Sequence, residues 1–88
     1  MTNRITRMVV VLDVPLLLRG AETPVPPGRY EVTTEEEPLG DLMEPGYRRI
    51  AATLYVPPPP GRIGIGQVID IETPEFEALL AHRVAAAA

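Results

Sequence analysis

The sequence predicts a mainly β protein of the α+β class, in which a small twisted antiparallel sheet of four to five strands is covered by one C-terminal helix. Short runs rich in β-branched residues recur along the chain, separated by proline- and glycine-rich segments. Its eleven prolines make long helices impossible before residue 74. Helix-start signals and an apolar helical stripe occur together only from there on. A partly closed barrel is the alternative shape.

Length and composition limit the classes of protein to which the chain can belong. Its 88 residues predict a single domain, 1–88, with one thin core. The sequence has no cysteine, which excludes disulfides and thiolate metal sites and fits a reducing, cytoplasmic compartment. The net charge of −4 opposes binding to nucleic acid or to an anionic membrane. No apolar stretch approaches the ~20 residues of a membrane-spanning helix.

The first half of the chain predicts two strands joined by a loop. Ile5–Leu12 is rich in β-branched residues and is expected to be a strand. The apolar run Leu16–Leu18 is either a second short strand or a continuation of the first past a bulge. Gly20–Pro27 is a loop, and Gly28–Thr34 is the next strand, which the acidic run that follows is expected to stop.

The middle of the chain contains the clearest strand. Leu39–Gly46 predicts an irregular segment with at most one helical turn, ending in a proline–glycine turn. Tyr47–Val56 then alternates, with Arg48, Ile50, Ala52, Leu54 and Val56 on one face and Tyr47, Arg49, Ala51, Thr53 and Tyr55 on the other. Because both faces carry apolar residues, this strand is expected to lie inside the sheet.

The last third predicts a strand followed by the helix. After the stiff Pro57–Gly61 segment, Arg62–Ile71 is expected to pair antiparallel with the preceding strand. Its face of Ile63, Ile65, Ile69 and Ile71 should meet Ile50, Leu54 and Val56 in the core.

Several signals then mark a helix start. Thr73 can cap the helix, and Pro74 suits its first position. The buried stripe of this helix is expected to be Phe76, Leu79, Leu80 and Val84, and residues 85–88 are expected to fray.

Two segments are the candidate contact site for a ligand or partner. They are the acidic run Glu35, Glu36 and Glu37 and the Tyr47, Arg48 and Arg49 segment. Arginine beside an aromatic ring can bind phosphate or stack on an aromatic ligand. The glutamates can hold a hard cation, pair with the arginines, or simply keep a turn solvated. Alternation places Tyr47 and one arginine on one face of the strand and the other arginine opposite.

The same segments resemble a family of small uncharacterised bacterial proteins. The resemblance is carried by the Thr34–Leu39 acidic run, the Tyr47–Thr53 Tyr-Arg-Arg strand and the Pro-Glu-Phe-Glu helix start at Pro74, and it covers most of the chain after residue 14. The chain departs from the family pattern in its Pro57–Pro60 loop and in its glycine-rich strand. The resemblance implies no activity, substrate or cofactor.

The residues favour a non-enzymatic role. The chain has no serine or cysteine and only one histidine, His82, so it lacks the usual nucleophile and base pairs. We expect no catalytic residue, no metal and no cofactor. The function predicted is a small binding or accessory module that contacts a protein, or a second copy of itself, through a sheet surface. The alternative is a ligand-binding or enzymatic protein that uses the Arg/Tyr/Glu surface.

Overall fold

The computed structural model describes residues 3–40, 46–58, 61 and 63–84. Five strands and one helix follow in the order β1 (Arg4–Leu12), β2 (Gly28–Pro38), β3 (Tyr47–Val56), β4 (Gln67–Asp70), α1 (Thr73–Leu80) and β5 (Arg83–Val84). The strands form one open antiparallel sheet with the order β4-β3-β2-β1-β5, which is not closed into a barrel. Residues 41–45 of the predicted irregular segment Leu39–Gly46 and the predicted frayed tail at 85–88 lie outside the described residues.

The sheet is a meander to which one distant strand is added. β1 to β4 pair in chain order, so each is antiparallel to the strand before it. α1 then carries the chain across the sheet, and β5 pairs with β1 at the opposite edge. The predicted internal position of β3 and its pairing with β4 are confirmed, whereas β5 was not predicted.

The core lies between α1 and one face of the sheet, which we call the covered face. Phe76 and Leu79 of the helix are buried against it. The buried apolar residues of the sheet and of the adjoining segments are Val10, Leu12, Leu18, Val25, Tyr30, Val32, Ala52, Leu54, Ile69 and Ile71. Leu16 forms an isolated bridge to Val25, so the second apolar run closes the end of the core as a separate segment rather than continuing β1. We call the other sheet face the open face.

The acidic run was expected to stop β2, but it does not. Glu35, Glu36 and Glu37 all belong to the strand, which ends at Pro38. The reason is that each carboxylate has a partner on a neighbouring strand or directly beside one. Glu36 pairs with Arg4 of β1 and Glu37 with Arg48 of β3, so the charges stay solvated without breaking the ladder.

The predicted strand over 62–71 is wrong over residues 63–66, and residue 62 lies outside the described residues. β4 contains only Gln67–Asp70, and Ile63 and Ile65 are fully exposed rather than in the core. The ring of Tyr55 packs directly over Gly66, in the space that a side chain there would occupy. The backbone that leads into β4 therefore passes beside a ring instead of forming a pleated pair.

The helix is shorter than the apolar spacing predicts. Its N-cap is Glu72 rather than Thr73, and the Glu72 backbone N–H donates to Glu75 Oε1 at 3.0 Å. It ends at Leu80, and Val84 lies in β5 instead of extending the buried stripe. Leu80 itself is half-exposed. Within the described ranges, no helix has the length and apolar character needed to cross a membrane.

Candidate functional site

The helix covers only part of the covered face, and the remainder forms a groove. Phe76 and Leu79 of α1 belong to the same core cluster as the buried residues of the sheet. Beside α1 lies a groove of about 860 Å³, lined by Arg4, Thr6, Arg7, Met8, Val9, Thr34, Glu36, Arg49, Phe76, Leu80, Arg83 and Val84. This volume is within the range of small-molecule sites. We call this site the basic groove.

A β-bulge in β3 places Arg49 in the groove. Glu35 pairs with Ala51, but the next residue, Glu36, pairs with Arg49, so Ile50 is an extra residue in β3. The predicted alternation is therefore inverted before Ile50. Arg49 lies on the same face as Ala52 and Leu54 instead of opposite them, and Ile50 is exposed rather than in the core.

The floor of the groove begins with a row of three charged residues. The strand register aligns Arg4 of β1, Glu36 of β2 and Arg49 of β3 side by side. Arg4 donates to both carboxylate oxygens of Glu36, at 3.2 and 2.9 Å, and Thr6 Oγ1 donates to the same carboxylate at 2.8 Å. These hydrogen bonds, chiefly that from Arg4, lower the pKa of Glu36. Arg4 also stacks over Tyr47, 3.9 Å from the ring centroid.

Arg49 and Arg83 are the unneutralised cations of the groove. The Arg49 guanidinium lies 4.0 Å from the ring centroid of Phe76, a cation–π contact between sheet and helix. Arg83 pairs with Val10, which places its side chain on the covered face. Among the described residues, neither forms an ion pair with a carboxylate, although Glu36 is near Arg49. The groove thus retains positive charge in an acidic protein.

The structure brings together half of the predicted contact residues. Tyr47, Arg49 and Glu36 lie on the covered face at the groove. The other three lie on the open face, where Glu37 forms an ion pair with Arg48, and Glu35 accepts a hydrogen bond from Asn3 at 2.9 Å. The predicted separation of Tyr47 and one arginine from the other arginine is confirmed.

Of the residues that line the groove, only Glu36 and Arg49 were predicted as contacts, and Arg4, Phe76, Leu80 and Arg83 are among those that sequence reasoning missed. Arg4 and Thr6 alternate with Met8 and Val10, a pattern that assigns them to one face of β1. The helical spacing of Phe76 and Leu80 likewise places them side by side. Arg83 gave no such signal, because β5 has only two residues.

The other concave regions are lined by fewer charged side chains than the basic groove. A cleft of about 250 Å³ between residues 16–18 and α1 is mostly apolar, with Glu75 and His82 at its border. His82 thus lies outside the groove. In the part of the chain that the structure describes, no three acidic, histidine or cysteine side chains cluster in a way that could hold a metal ion.

No protein-family model, no curated protein and no solved structure shows a significant match to the chain. The geometry of the groove is therefore the observation that indicates a function.

Proposed function

We propose that the protein is a small non-enzymatic binding module that holds an anionic ligand in the basic groove. The observation that carries this proposal is the pair of guanidinium groups, Arg49 and Arg83, that face the groove without a carboxylate partner among the described residues. An arginine fork binds a carboxylate or phosphate with charge-assisted hydrogen bonds. The proposal keeps the predicted alternative of a ligand-binding Arg/Tyr/Glu surface. It leaves out Arg48, Glu35 and Glu37, because they lie on the open face.

A binding role fits the groove better than catalysis. Its lining has no histidine, and its hydroxyl groups are already donors within the protein. Thr6 Oγ1 donates to Glu36, and Thr34 Oγ1 donates to the Thr6 carbonyl oxygen at 3.3 Å. Glu36 is held as a carboxylate by Arg4, which makes it a weak general base. The lining therefore offers recognition groups rather than a nucleophile and its base.

The test is a titration with inorganic sulfate at constant ionic strength, followed by NMR of the arginine Nε–Hε groups. We expect the Arg49 and Arg83 signals to shift and the Arg48 signal to stay. Arg49→Gln should weaken binding roughly tenfold, which corresponds to the loss of one charge-assisted hydrogen bond of about 1.5 kcal/mol. Arg48→Gln is the matched control, since it makes the same charge change one residue away on the opposite face. Equal effects of the two variants would contradict the groove as the site.

A second candidate function is self-association through the open face. Ile5, Tyr55 and Val68 lie on that face and are exposed, and Tyr55 pairs directly with Val68. Sedimentation equilibrium tests it, since a dimer made by this face should dissociate in the double variant Tyr55→Ser, Val68→Ser. The corresponding control is Ile65→Ser, which changes an exposed residue outside the sheet.

A further inference from the structure

The wall of the basic groove that faces Arg49 is apolar. Phe76 and Leu80 are four residues apart on α1, so they lie one above the other on the same side of the helix. Phe76 is covered by the Arg49 guanidinium, whereas Leu80, one turn further on, is 41% exposed and lines the groove. The partly buried Met8 lies in the floor of the same groove. A cation and an apolar strip are therefore adjacent.

The stacking of Arg49 fixes how it can bind an anion. A guanidinium that stacks over a ring uses its face for that contact and keeps its N–H donors directed outward, in its own plane. Phe76 is buried and belongs to the core cluster, so this contact attaches Arg49 to a rigid part of the molecule. An anionic group bound by these donors lies next to the helix wall, and the rest of the ligand can extend over Leu80.

The distance along the wall sets the size of the ligand. One helical turn, about 5.4 Å, separates Phe76 from Leu80. A hydrated inorganic anion does not reach that far, and gains nothing from covering Leu80. An aliphatic or aromatic body attached to the anionic group reaches it and removes apolar surface from water. The groove, with a few polar groups at one end of an apolar wall, has the usual composition of a site for such a molecule.

We infer that the natural ligand of the basic groove is an amphipathic anion, with its anionic head group on the Arg49 guanidinium and its apolar body against Leu80. This inference rests on the proposed function and specifies its ligand class. It assigns Arg49 to charge recognition, Leu80 to recognition of the apolar body, and Phe76 to the positioning of Arg49.

The experiment compares three probes on the full chain by NMR titration, which also shows where each probe binds. Octanoate has both parts of the proposed ligand, acetate has the head group alone, and octyl glucoside has the chain without the charge, with both amphiphiles kept below micelle formation. We expect octanoate to bind at least tenfold more tightly than either of the others. The shifts should occur at Arg49, Phe76 and Leu80.

Variants separate the two parts of the site. Leu80→Ala should weaken octanoate binding roughly fivefold or more and leave acetate unchanged, while Arg49→Gln should weaken both. Ile65→Ala removes the same kind of exposed aliphatic side chain elsewhere and should change neither. A spectrum with native dispersion verifies that each variant is folded.

Other outcomes overturn the inference in distinguishable ways. If acetate and octanoate bind equally at Arg49, the groove binds anions but the amphipathic class is wrong. If octanoate binds at the cleft beside residues 16–18 and Arg49→Gln has no effect, the assignment to the groove is wrong. If sulfate, acetate and octanoate all leave Arg49 unshifted, the proposed function fails together with the inference.

Discussion

Glu36 determines which arginine of the groove is available to a ligand. Its carboxylate accepts hydrogen bonds from Arg4 and from Thr6, and Arg4 is further held over Tyr47. Arg4 is therefore committed to the protein, and Arg49, in the same row of the sheet, is left as the residual charge. One carboxylate between two guanidinium groups thus divides them into a structural arginine, Arg4, and the arginine that we propose to bind the ligand, Arg49.

The pKa of Glu36 predicts how this row responds to pH. Its pKa is lowered in the folded protein, chiefly by Arg4, so the folded state favours the ionised carboxylate. The stabilisation that Glu36 provides is therefore complete above the unfolded-state pKa of about 4.3 and is lost as the pH falls through the lower folded-state pKa. Urea unfolding of the wild type and of Glu36→Gln should show a stability difference at pH 7 that disappears at low pH. A difference that is independent of pH would contradict this account.

The bulge in β3 is the element that assembles the site, and it also explains the main error of the sequence analysis. Strict alternation assigns Arg49 and Leu54 to opposite faces, whereas the extra residue Ile50 brings them to the same one. The bounds of β3 and the apolar character of its buried end follow from the sequence, because a run of β-branched and aromatic residues between turn signals is an unambiguous pattern. A bulge leaves no comparable mark, since it depends on how two strands align.

Deletion of single residues in β3 and in β2 tests the role of the bulge. Removing Ile50 should leave Arg49 opposite Glu36 and Ala51 opposite Glu35, so the chain should fold with Arg49 still over Phe76. By contrast, removing Thr33 from the neighbouring strand β2, which has no extra residue, shifts every residue on one side of it to the wrong face and should prevent folding. Backbone spectra and the ring-current shift of the Arg49 side chain distinguish these results. An unfolded Ile50 deletion would show that the bulge itself is needed for stability.

The isoleucines in and around β4 also show that spacing in the sequence does not by itself determine burial. Ile69 and Ile71 are buried as predicted, and Ile63 and Ile65 have the same spacing but no sheet to join. Periodicity reports which residues can share a face, and does not report whether a partner strand is present. In this protein the glycine that passes beside Tyr55 ends the pairing first.

At the scale of the whole molecule, stability rests on a thin core over one sheet face. A chain of 88 residues is expected to have a free energy of unfolding of about 4–13 kcal/mol. The core cluster is small, and the open face has no covering element among the described residues. The loss of one well-buried side chain is therefore a large part of the total.

Two aliphatic truncations, one in the core and one on the surface, test how much a single side chain contributes to the free energy of unfolding. Leu54 is 0% exposed, and Leu54→Ala should lower the free energy of unfolding by about 2–5 kcal/mol, enough to unfold a large fraction of the protein at the lower end of the expected stability. Ile65 is 99% exposed, and Ile65→Ala should change it by no more than about 0.5 kcal/mol. Thermal and urea unfolding measure both. Comparable losses in the two variants would show that residue 65 is packed in solution.

The pairing of β5 with β1 has a consequence for the order in which the molecule assembles. β1 to β4 join by successive hairpins, whose ends are close in the chain, but the contact between Val9 and Val84 spans most of the sequence and has the largest loop-closure entropy. We therefore expect β5 to dock last during folding and to detach first in local opening events, with the helix still in place. Because Arg83 and Val84 form one side of the basic groove, these events would open a path by which molecules enter and leave it.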